Sequence, residues 1–238
     1  MATAGLLALA GCNSNFGMPE SATVQGEQIS DVWRFFAITA ALVGGLVWGL
    51  ILWSVFRYKR RSDELPKQTL FNIPVEIAYT MVPLVIVAVL FTVSMRATEN
   101  VNNRAENPDL TVDVTGFQWQ WRFDYVDEGV ELVGQTNSPA EMVVPVGSTV
   151  RVNLTSTDVI HAFWLPEFMI KKDAIPFRIN EFDMDVTRAG TFDSGRCVEY
   201  CGLNHDDMRF TVRAVPQAEY DAWLAEMSSA PAQAGARP

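Results

Sequence analysis

The chain has 238 residues, a formal net charge of −10 and a hydrophobic content of 49%. This length allows one large domain or two small ones. From Ala97 onward, 22 acidic residues stand against 11 basic ones, so we expect this part to repel nucleic acid and to attract a basic partner. A solvated surface without a charged partner is the alternative, and on charge alone it is the commoner explanation.

Two long apolar segments occupy the N-terminal half. The segment Phe35–Phe56 has no charged residue, and Pro74–Met95 has only Glu76. Each is long enough to cross the apolar core of a bilayer, which needs about 20 residues. A buried core helix is the alternative, but runs this apolar are more typical of membrane spans. The sequence therefore predicts a two-helix transmembrane hairpin over residues 34–98.

Basic residues predict the orientation of this hairpin. No Lys or Arg precedes Arg34, whereas the short loop between the spans is basic. Its basic residues are Arg57, Lys59, Arg60, Arg61 and Lys67. The positive-inside rule places this loop in the cytoplasm. Both the N-terminus and the C-terminal domain then lie on the outer face of a bacterial plasma membrane.

The N-terminus resembles that of a bacterial lipoprotein. Leu9-Ala10-Gly11-Cys12 matches a lipobox, in which the Cys is lipidated and becomes the mature N-terminus. Residues 1–11 would then be a signal peptide, and residues 12–33 an outer N-terminal segment. The apolar stretch before the lipobox lacks the basic residue of a typical secretory signal. A misassigned start and an incidental Cys12 are therefore the alternatives.

Residues 109–216 are predicted to form an all-β domain, which follows a polar connector at Asn100–Pro108. Short alternating runs separated by turn residues are typical of a sandwich or barrel. The predicted runs are Leu110–Thr115, Gln118–Tyr125, Glu141–Val146, Thr149–Thr155, Glu181–Val186 and Arg209–Val215. The C-terminal segment, residues 217–238, is predicted to contain all but the first residue of a closing helix, Pro216–Met227. The rest is a tail rich in Ala, Pro and Gly that we expect to be disordered.

The residues with the most distinctive chemistry lie in R-C-V-E-Y-C-G-L-N-H-D-D-M, which contains Cys197, Cys201, His205 and Met208. A disulfide is the default interpretation of two cysteines in an exported domain. Thiolate, imidazole and thioether groups this close together instead suit a soft metal such as copper. The neighbouring residues thus favour a metal site.

The only other histidine, His161, lies in the β-like run T-D-V-I-H-A-F-W. A histidine in such a run is usually an ordinary core or surface residue. Single-copper blue sites, however, also take one ligand from an earlier strand and the others from a late loop. One Cys is surplus for a single blue copper. If both sulfurs bridge two copper ions, with one His on each ion, both cysteines and both histidines have a role.

The motif C-x-E-x-C-G-x-x-H-x-x-M, with D-V-I-H, G-F-Q-W-Q-W-R-F and K-K-D-A-I-P, resembles subunit II of cytochrome c oxidase. The resemblance covers nearly the whole chain after residue 30. It implies a cupredoxin-like Greek-key β-barrel after the membrane hairpin, and a dinuclear copper centre, CuA. It also implies transfer of electrons from cytochrome c to haem a of subunit I, which reduces oxygen to water and pumps protons. No C-x-x-C-H occurs, so no haem is expected in this chain.

The resemblance also assigns roles to the residues of the copper centre. Cys197 and Cys201 would bridge the two copper ions. His161 and His205 would be terminal ligands, one on each ion. Met208 would be a weak axial ligand.

Four further residues receive roles by the same resemblance. Glu199 would offer its backbone carbonyl to copper and its carboxylate to a magnesium ion shared with subunit I. Trp119 matches the exposed residue that receives the electron, with strand packing as the alternative. Asp158 matches a carboxylate that docks cytochrome c. Glu76 matches a residue at the mouth of a proton path into subunit I, with an interfacial carboxylate as the alternative.

The predicted partners are oxidase subunits I and III, membrane lipid and a cytochrome c. Phe117 and Gln120 stand where the family often has His and Tyr, and Thr157 where mitochondrial members have a second acid. These departures leave two kinds of donor open. One is a soluble cytochrome c, and the other is a membrane-held or fused cytochrome c domain, for example in a supercomplex with a cytochrome bc complex.

Three other protein classes share some of these features. Quinol oxidase subunits II have the hairpin and the β domain but lack the copper ligands. Nitrous oxide reductase has a similar copper loop without a preceding hairpin. A copper-delivery or storage protein usually has a Met-rich or exposed Cys site, whereas the nine methionines of this chain are scattered.

Overall fold

A computed structural model of the chain describes residues 16–65, 67–135 and 138–229. The predicted signal peptide, Cys12 and the tail from residue 230 onward lie outside the described residues. The chain divides into two compact units. One contains Asp31–Glu99, and the other combines Gly17–Ser30 with the residues from Asn100 onward.

Two long helices account for the first unit. Helix α1 spans Val24–Arg57 and helix α2 spans Ile73–Asn102. The most apolar stretch of each has a mean hydropathy of 2.3, and none of its residues is buried within the chain. Such a large exposed apolar surface is unfavourable in water. By length and composition both helices can cross a membrane, as predicted.

Helix α1 begins earlier than the predicted hairpin boundary at residue 34. Thr23 caps it, because its Oγ1 accepts a hydrogen bond from the Gly26 N–H at 3.1 Å. Glu27 lies in the first turn, where a negative charge is favourable. The charges of this segment make it unlike a membrane span, which is why the apolar pattern did not reveal these helical turns.

The segment Gly17–Ser30 packs as part of the β unit. Ala22 is fully buried. Its N–H donates to the Glu167 carbonyl at 2.8 Å, and its carbonyl accepts from the Thr187 N–H at 2.9 Å. The part of the predicted 12–33 segment that the structure describes is therefore an addition to the β domain followed by the first turns of α1.

Ten strands form the second unit. They are β1 Leu110–Phe117, β2 Gln120–Tyr125, β3 Val130–Val133, β4 Ala140–Pro145, β5 Thr149–Ser156, β6 His161–Leu165, β7 Ile170–Ala174, β8 Asn180–Asp185, β9 Gly190–Cys197 and β10 Arg209–Val215. They build two five-stranded sheets, in the orders β3-β2-β1-β5-β8 and β4-β10-β9-β6-β7. The pairs β1–β5 and β4–β10 are parallel, and the chain passes several times from one sheet to the other between consecutive strands. The predicted cupredoxin-like all-β domain is confirmed, and it has the form of a two-sheet sandwich.

The core of the sandwich is apolar and aromatic. Strand β5 buries every second residue, as expected for a strand with one face inside. The rings of Phe163 and Phe210 stack with centroids 4.2 Å apart. Trp121 contacts both rings edge-on, each at a centroid distance of 5.6 Å. Truncation of one such ring would cost about 3–5 kcal/mol, so this cluster is a rigid base for strand β6.

The described chain ends with helix α3, Gln217–Ser229, close to the predicted closing helix. Tyr220 and Trp223 pack against each other, and Trp223 also packs against Tyr125. The Tyr125 hydroxyl donates to the Val143 carbonyl at 2.8 Å. These contacts fix α3 against the sandwich.

Candidate metal centre

The pairing of strands β6 and β9 places the first histidine next to the cysteine loop. Phe163 on β6 pairs with Cys197 at the end of β9, so His161, two residues before Phe163, lies beside the start of the loop. The Cys197 N–H donates to the Met208 carbonyl at 2.9 Å. The segment from Cys197 to Met208 is therefore a closed loop between two adjacent strands.

The side chains of this loop converge on the two sulfurs. The Sγ atoms of Cys197 and Cys201 are 3.9 Å apart, and both cysteines are free. His161 Nδ1 lies 3.9 Å from the Cys197 sulfur, and His205 Nδ1 lies 3.5 Å from the Cys201 sulfur. Met208 Sδ lies 3.9 Å from the Cys201 sulfur. Each imidazole thus faces a different thiol.

The backbone of Glu199 also reaches this cluster. Cys197 Sγ donates to the Glu199 carbonyl at 3.2 Å, while the Glu199 residue is exposed. The ligand atoms of His161, Cys197 and Cys201 all lie within 4.8 Å of one another. His205 and Met208 adjoin this group through Cys201.

The cluster is almost completely shielded from solvent. His161 and Met208 are 0% exposed, and Cys197 and Cys201 are 3% and 4% exposed. A Cβ at Gly116 would lie 3.1 Å from the His161 ring, so glycine lets the imidazole pack directly on strand β1. His205 is half-buried.

Asp158 holds the buried imidazole from its other side. Its Oδ1 lies 2.9 Å from His161 Nε2. A carboxylate only accepts hydrogen bonds, so Nε2 carries the proton and Nδ1 is the free lone pair. Asp158 also accepts from the N–H groups of Gln118 and Val159, at 2.7 and 2.6 Å. Asp158, which the sequence predicted to dock cytochrome c, therefore forms hydrogen bonds within the chain, and its side chain is 31% exposed.

The two thiols differ in acidity. Burial opposes ionisation of Cys197, but the hydrogen bonds that it makes, first with His161, lower its pKa to about 7. Burial and the neighbouring Cys197 raise the pKa of Cys201 to about 12. Burial lowers the pKa of His161, but its contacts with Cys197 and Asp158 outweigh this and raise it. In the metal-free chain, Cys197 is therefore the thiol that ionises first.

The Trp119 side chain contacts the cysteine loop directly. Its half-buried indole N–H donates to the Cys201 carbonyl at 3.1 Å. The amide of Gln118 donates to the same carbonyl at 2.7 Å. Trp121 is fully buried in the core. Sequence reasoning did not single out Gln118, because nothing in the pattern shows that its side chain reaches a loop 83 residues away.

Glu76 lies in the other unit, in the first turn of α2. Its Oε1 accepts a hydrogen bond from the Asn72 N–H at 3.0 Å. The side chain therefore caps the start of that helix.

The donor set suits copper. Thiols and a thioether are soft ligands, and imidazoles also suit copper; the described residues bring two thiols, two imidazoles and a thioether together. Two membrane-competent helices before a cupredoxin-like sandwich with such a cluster define a membrane-anchored protein of the copper-binding class. Comparison with known families identifies it further. Residues 11–97 match the family model "Cytochrome C oxidase subunit II, transmembrane domain". Residues 132–215 match the model "Cytochrome C oxidase subunit II, periplasmic domain". The chain belongs to the cytochrome c oxidase subunit II family.

Individual relatives agree with this assignment. A probable cytochrome c oxidase subunit 2 of Streptomyces coelicolor is 38% identical, over 95% of this chain and 85% of the relative. The cytochrome c oxidase subunit 2 of Corynebacterium glutamicum is 29% identical, over 95% of this chain and 83% of the relative. A solved structure is also similar, the crystal structure of the periplasmic domain of subunit II of the Bradyrhizobium japonicum cytochrome oxidase. Its sequence is 37% identical, over 52% of this chain and 97% of that domain, and the TM-score is 0.48.

Membership of the family has three consequences. The chain is a subunit of a haem–copper oxidase, an oxidoreductase complex, and its general role is to accept electrons at a copper site. It resides in the plasma membrane, with its C-terminal domain on the outer face. The family implies copper, and the buried cluster offers ligands for it.

The difference between the two thiols can be tested in the reduced, metal-free chain. We expect alkylation of Cys197 at pH 7 to be much faster than that of Cys201, with a pH profile that inflects near 7. His161→Asn should return the Cys197 pKa towards its usual value and slow its alkylation about tenfold at pH 7. Peptide mass spectrometry measures both rates. His205→Asn is the matched control, because that ring faces Cys201, and an equal loss in both variants would contradict the assignment.

Proposed function

We propose that this chain is the electron-accepting subunit of an aerobic respiratory haem–copper oxidase. It takes electrons one at a time from a cytochrome c at a dinuclear copper centre and passes them to haem a of subunit I. Subunit I then reduces oxygen to water and pumps protons. The observation that carries this proposal is that two imidazole Nδ1 atoms face two different, closely spaced sulfurs.

The sulfur geometry supports two bridging thiolates. At 3.9 Å, the sulfurs are well beyond the S–S distance of a disulfide, about 2.05 Å. A metal–thiolate bond is about 2.3 Å, so both sulfurs can bind the same ion. Cys197 and Cys201 can thus each bridge two copper ions, with His161 on one and His205 on the other. Met208 and the Glu199 carbonyl would complete the two coordination shells.

The chain's residues favour electron transfer over bond-making chemistry. When bound, the copper pair supplies a one-electron carrier whose charge is shared between two ions. Burial excludes water from the sulfurs, and the aromatic cluster beneath β6 limits movement of His161. Asp158 fixes the imidazole with Nδ1 free to bind metal, which is the usual role of a carboxylate behind a ligating histidine. Burial also argues against a copper-delivery protein, which must release its ion.

Trp119 is the proposed site where the electron arrives. Its indole is half-buried and bonds to the carbonyl of Cys201, a proposed ligand residue. The acidic outer domain would attract a basic cytochrome c. Asp158 is proposed to contribute to this docking in addition to its contact with His161. The donor is either soluble or held at the membrane, and a supercomplex with a cytochrome bc complex would suit the latter.

Glu199 is proposed to connect the copper centre to the neighbouring subunit. Its carbonyl faces Cys197, whereas its side chain is exposed on the same loop. An exposed carboxylate at this position can bind a magnesium ion shared with subunit I, because Mg²⁺ prefers oxygen ligands. Subunit III and membrane lipid are the further proposed neighbours.

Copper loading of the full chain in detergent tests the proposed function. We expect two copper ions per chain and a purple, mixed-valence centre whose unpaired electron is shared by both nuclei in electron paramagnetic resonance. Cys201→Ser should abolish the shared signal, because one bridging sulfur is lost. Glu64→Gln, in the loop between the helices, is the control that retains both bridges. A colourless Cu(I) site that a chelator empties easily would contradict the proposal.

Replacement of Glu76 tests the proposed proton path. In Glu76→Gln the amide oxygen still accepts the Asn72 N–H, so the start of α2 is preserved while the ionisable group is lost. We expect slower turnover of the assembled oxidase with the copper spectrum unchanged. Glu64→Gln, in the loop between the helices, is the control. Normal turnover of the Glu76 variant would refute this role.

A further inference from the structure

Gln118 connects the two segments that carry the proposed copper ligands. We propose that it is a positioning residue, which holds the Trp119 indole on the Cys197–Met208 loop and thereby sets the rate at which electrons reach the copper centre. This inference rests on the function proposed above. It assigns a role to a side chain that contacts the backbone of a proposed ligand residue and not its sulfur.

The first connection is through the backbone. The Gln118 N–H donates to Asp158 Oδ2 at 2.7 Å, and the other oxygen of the same carboxylate holds His161 Nε2 at 2.9 Å. The start of the turn between β1 and β2 is therefore joined to the ligand from strand β6. Because this contact uses the main chain, a side-chain substitution leaves it in place.

The second connection is through the side chain. Gln118 Nε2 donates to the Cys201 carbonyl at 2.7 Å, and the Trp119 indole donates to the same oxygen at 3.1 Å. A carbonyl oxygen has two lone pairs and can accept both bonds. Two consecutive residues thus bind one backbone atom of a proposed bridging ligand, and Gln118 makes the shorter of the two bonds.

Gly202 makes this close approach possible. A Cβ there would lie 3.2 Å from Gln118 Nε2 and 3.2 Å from Trp119 Nε1. Its φ of +121° also lies in a region that favours glycine. The loop therefore presents bare backbone to the two donors, and no side chain separates the indole from the ligand residue.

The consequence concerns the population of the docked indole. Gln118 is exposed, so its replacement should leave the core intact. Loss of a single neutral hydrogen bond changes an equilibrium constant about fivefold. Without the amide, the ratio of separated to docked indole should rise about fivefold, and the rate of electron arrival should fall by up to the same factor.

The test compares Gln118→Met with the matched control Gln135→Met. Methionine has a similar length but no N–H donor. Gln135 lies in the same surface depression, of about 430 Å³, between strands β3 and β4. Electron transfer from a reduced soluble cytochrome c to the copper centre of the assembled oxidase would be followed by stopped-flow absorption. Hydrogen exchange of the loop amides would be measured on the copper-free full chain.

We expect Gln118→Met to raise loop exchange about fivefold and to slow electron arrival at saturating cytochrome c by up to the same factor. The copper spectrum and the salt dependence of cytochrome c binding should not change. In a Trp119→Phe background, Gln118→Met should have no further effect on the rate, because Gln118 acts through the indole. Gln135→Met should behave as the original chain.

An unchanged transfer rate together with unchanged loop exchange would overturn the inference. So would a loss of copper or of its spectrum, because Gln118 would then support the site itself. A weaker cytochrome c interaction with an unchanged saturated rate would assign Gln118 to docking. If the original chain forms no purple centre, the proposed function fails, while the exchange comparison still tests the bond to the loop.

Discussion

The antiparallel pairing of β6 with β9 is the constraint on which the rest of the site depends. It aligns Phe163 with Cys197 and so brings a histidine from mid-domain next to a loop that begins 36 residues later. The stacked rings of Phe163 and Phe210 support this pairing from inside the sandwich. A slip of one residue would turn His161 away from the sulfurs, because successive side chains of a strand face opposite sides.

The residues around the cluster also fix the positions of its side chains. Gly116 allows the imidazole to lie against strand β1, and Asp158 fixes which nitrogen faces the thiols. Gln118 and Trp119 then attach the far side of the loop through the Cys201 carbonyl. The proposed ligands are therefore positioned by strand register and hydrogen bonds before any ion binds, which limits the rearrangement that electron transfer would require.

Much of the architecture was predictable from local patterns. The membrane helices follow from long uncharged runs, and six predicted runs correspond to β1, β2, β4, β5, β8 and β10. Strands β3, β7 and β9 were not predicted, and in β9 Gly195 interrupts the alternation of side chains. Gly195 is needed there, since a Cβ would lie 2.6 Å from the Phe210 ring. The early start of α1 was missed because its polar first turns pack on the β domain and carry no apolar signal.

The members of the site were visible in the sequence, but their mutual contacts were not. Spacing alone suggested that Cys197, Cys201, His205 and Met208 share one loop. Only the fold shows that Asp158 lies behind His161 and that Gln118 reaches Cys201, since both contacts join segments distant in sequence. Such contacts depend on sheet order, which a short motif does not encode.

X-ray absorption at the copper edge of the loaded full chain tests the central claim most directly. We expect each copper to have two sulfur neighbours at about 2.3 Å, one imidazole nitrogen and a second copper close by. A single copper with one sulfur neighbour, or a chain that binds no copper because Cys197 and Cys201 have formed a disulfide, would contradict this claim.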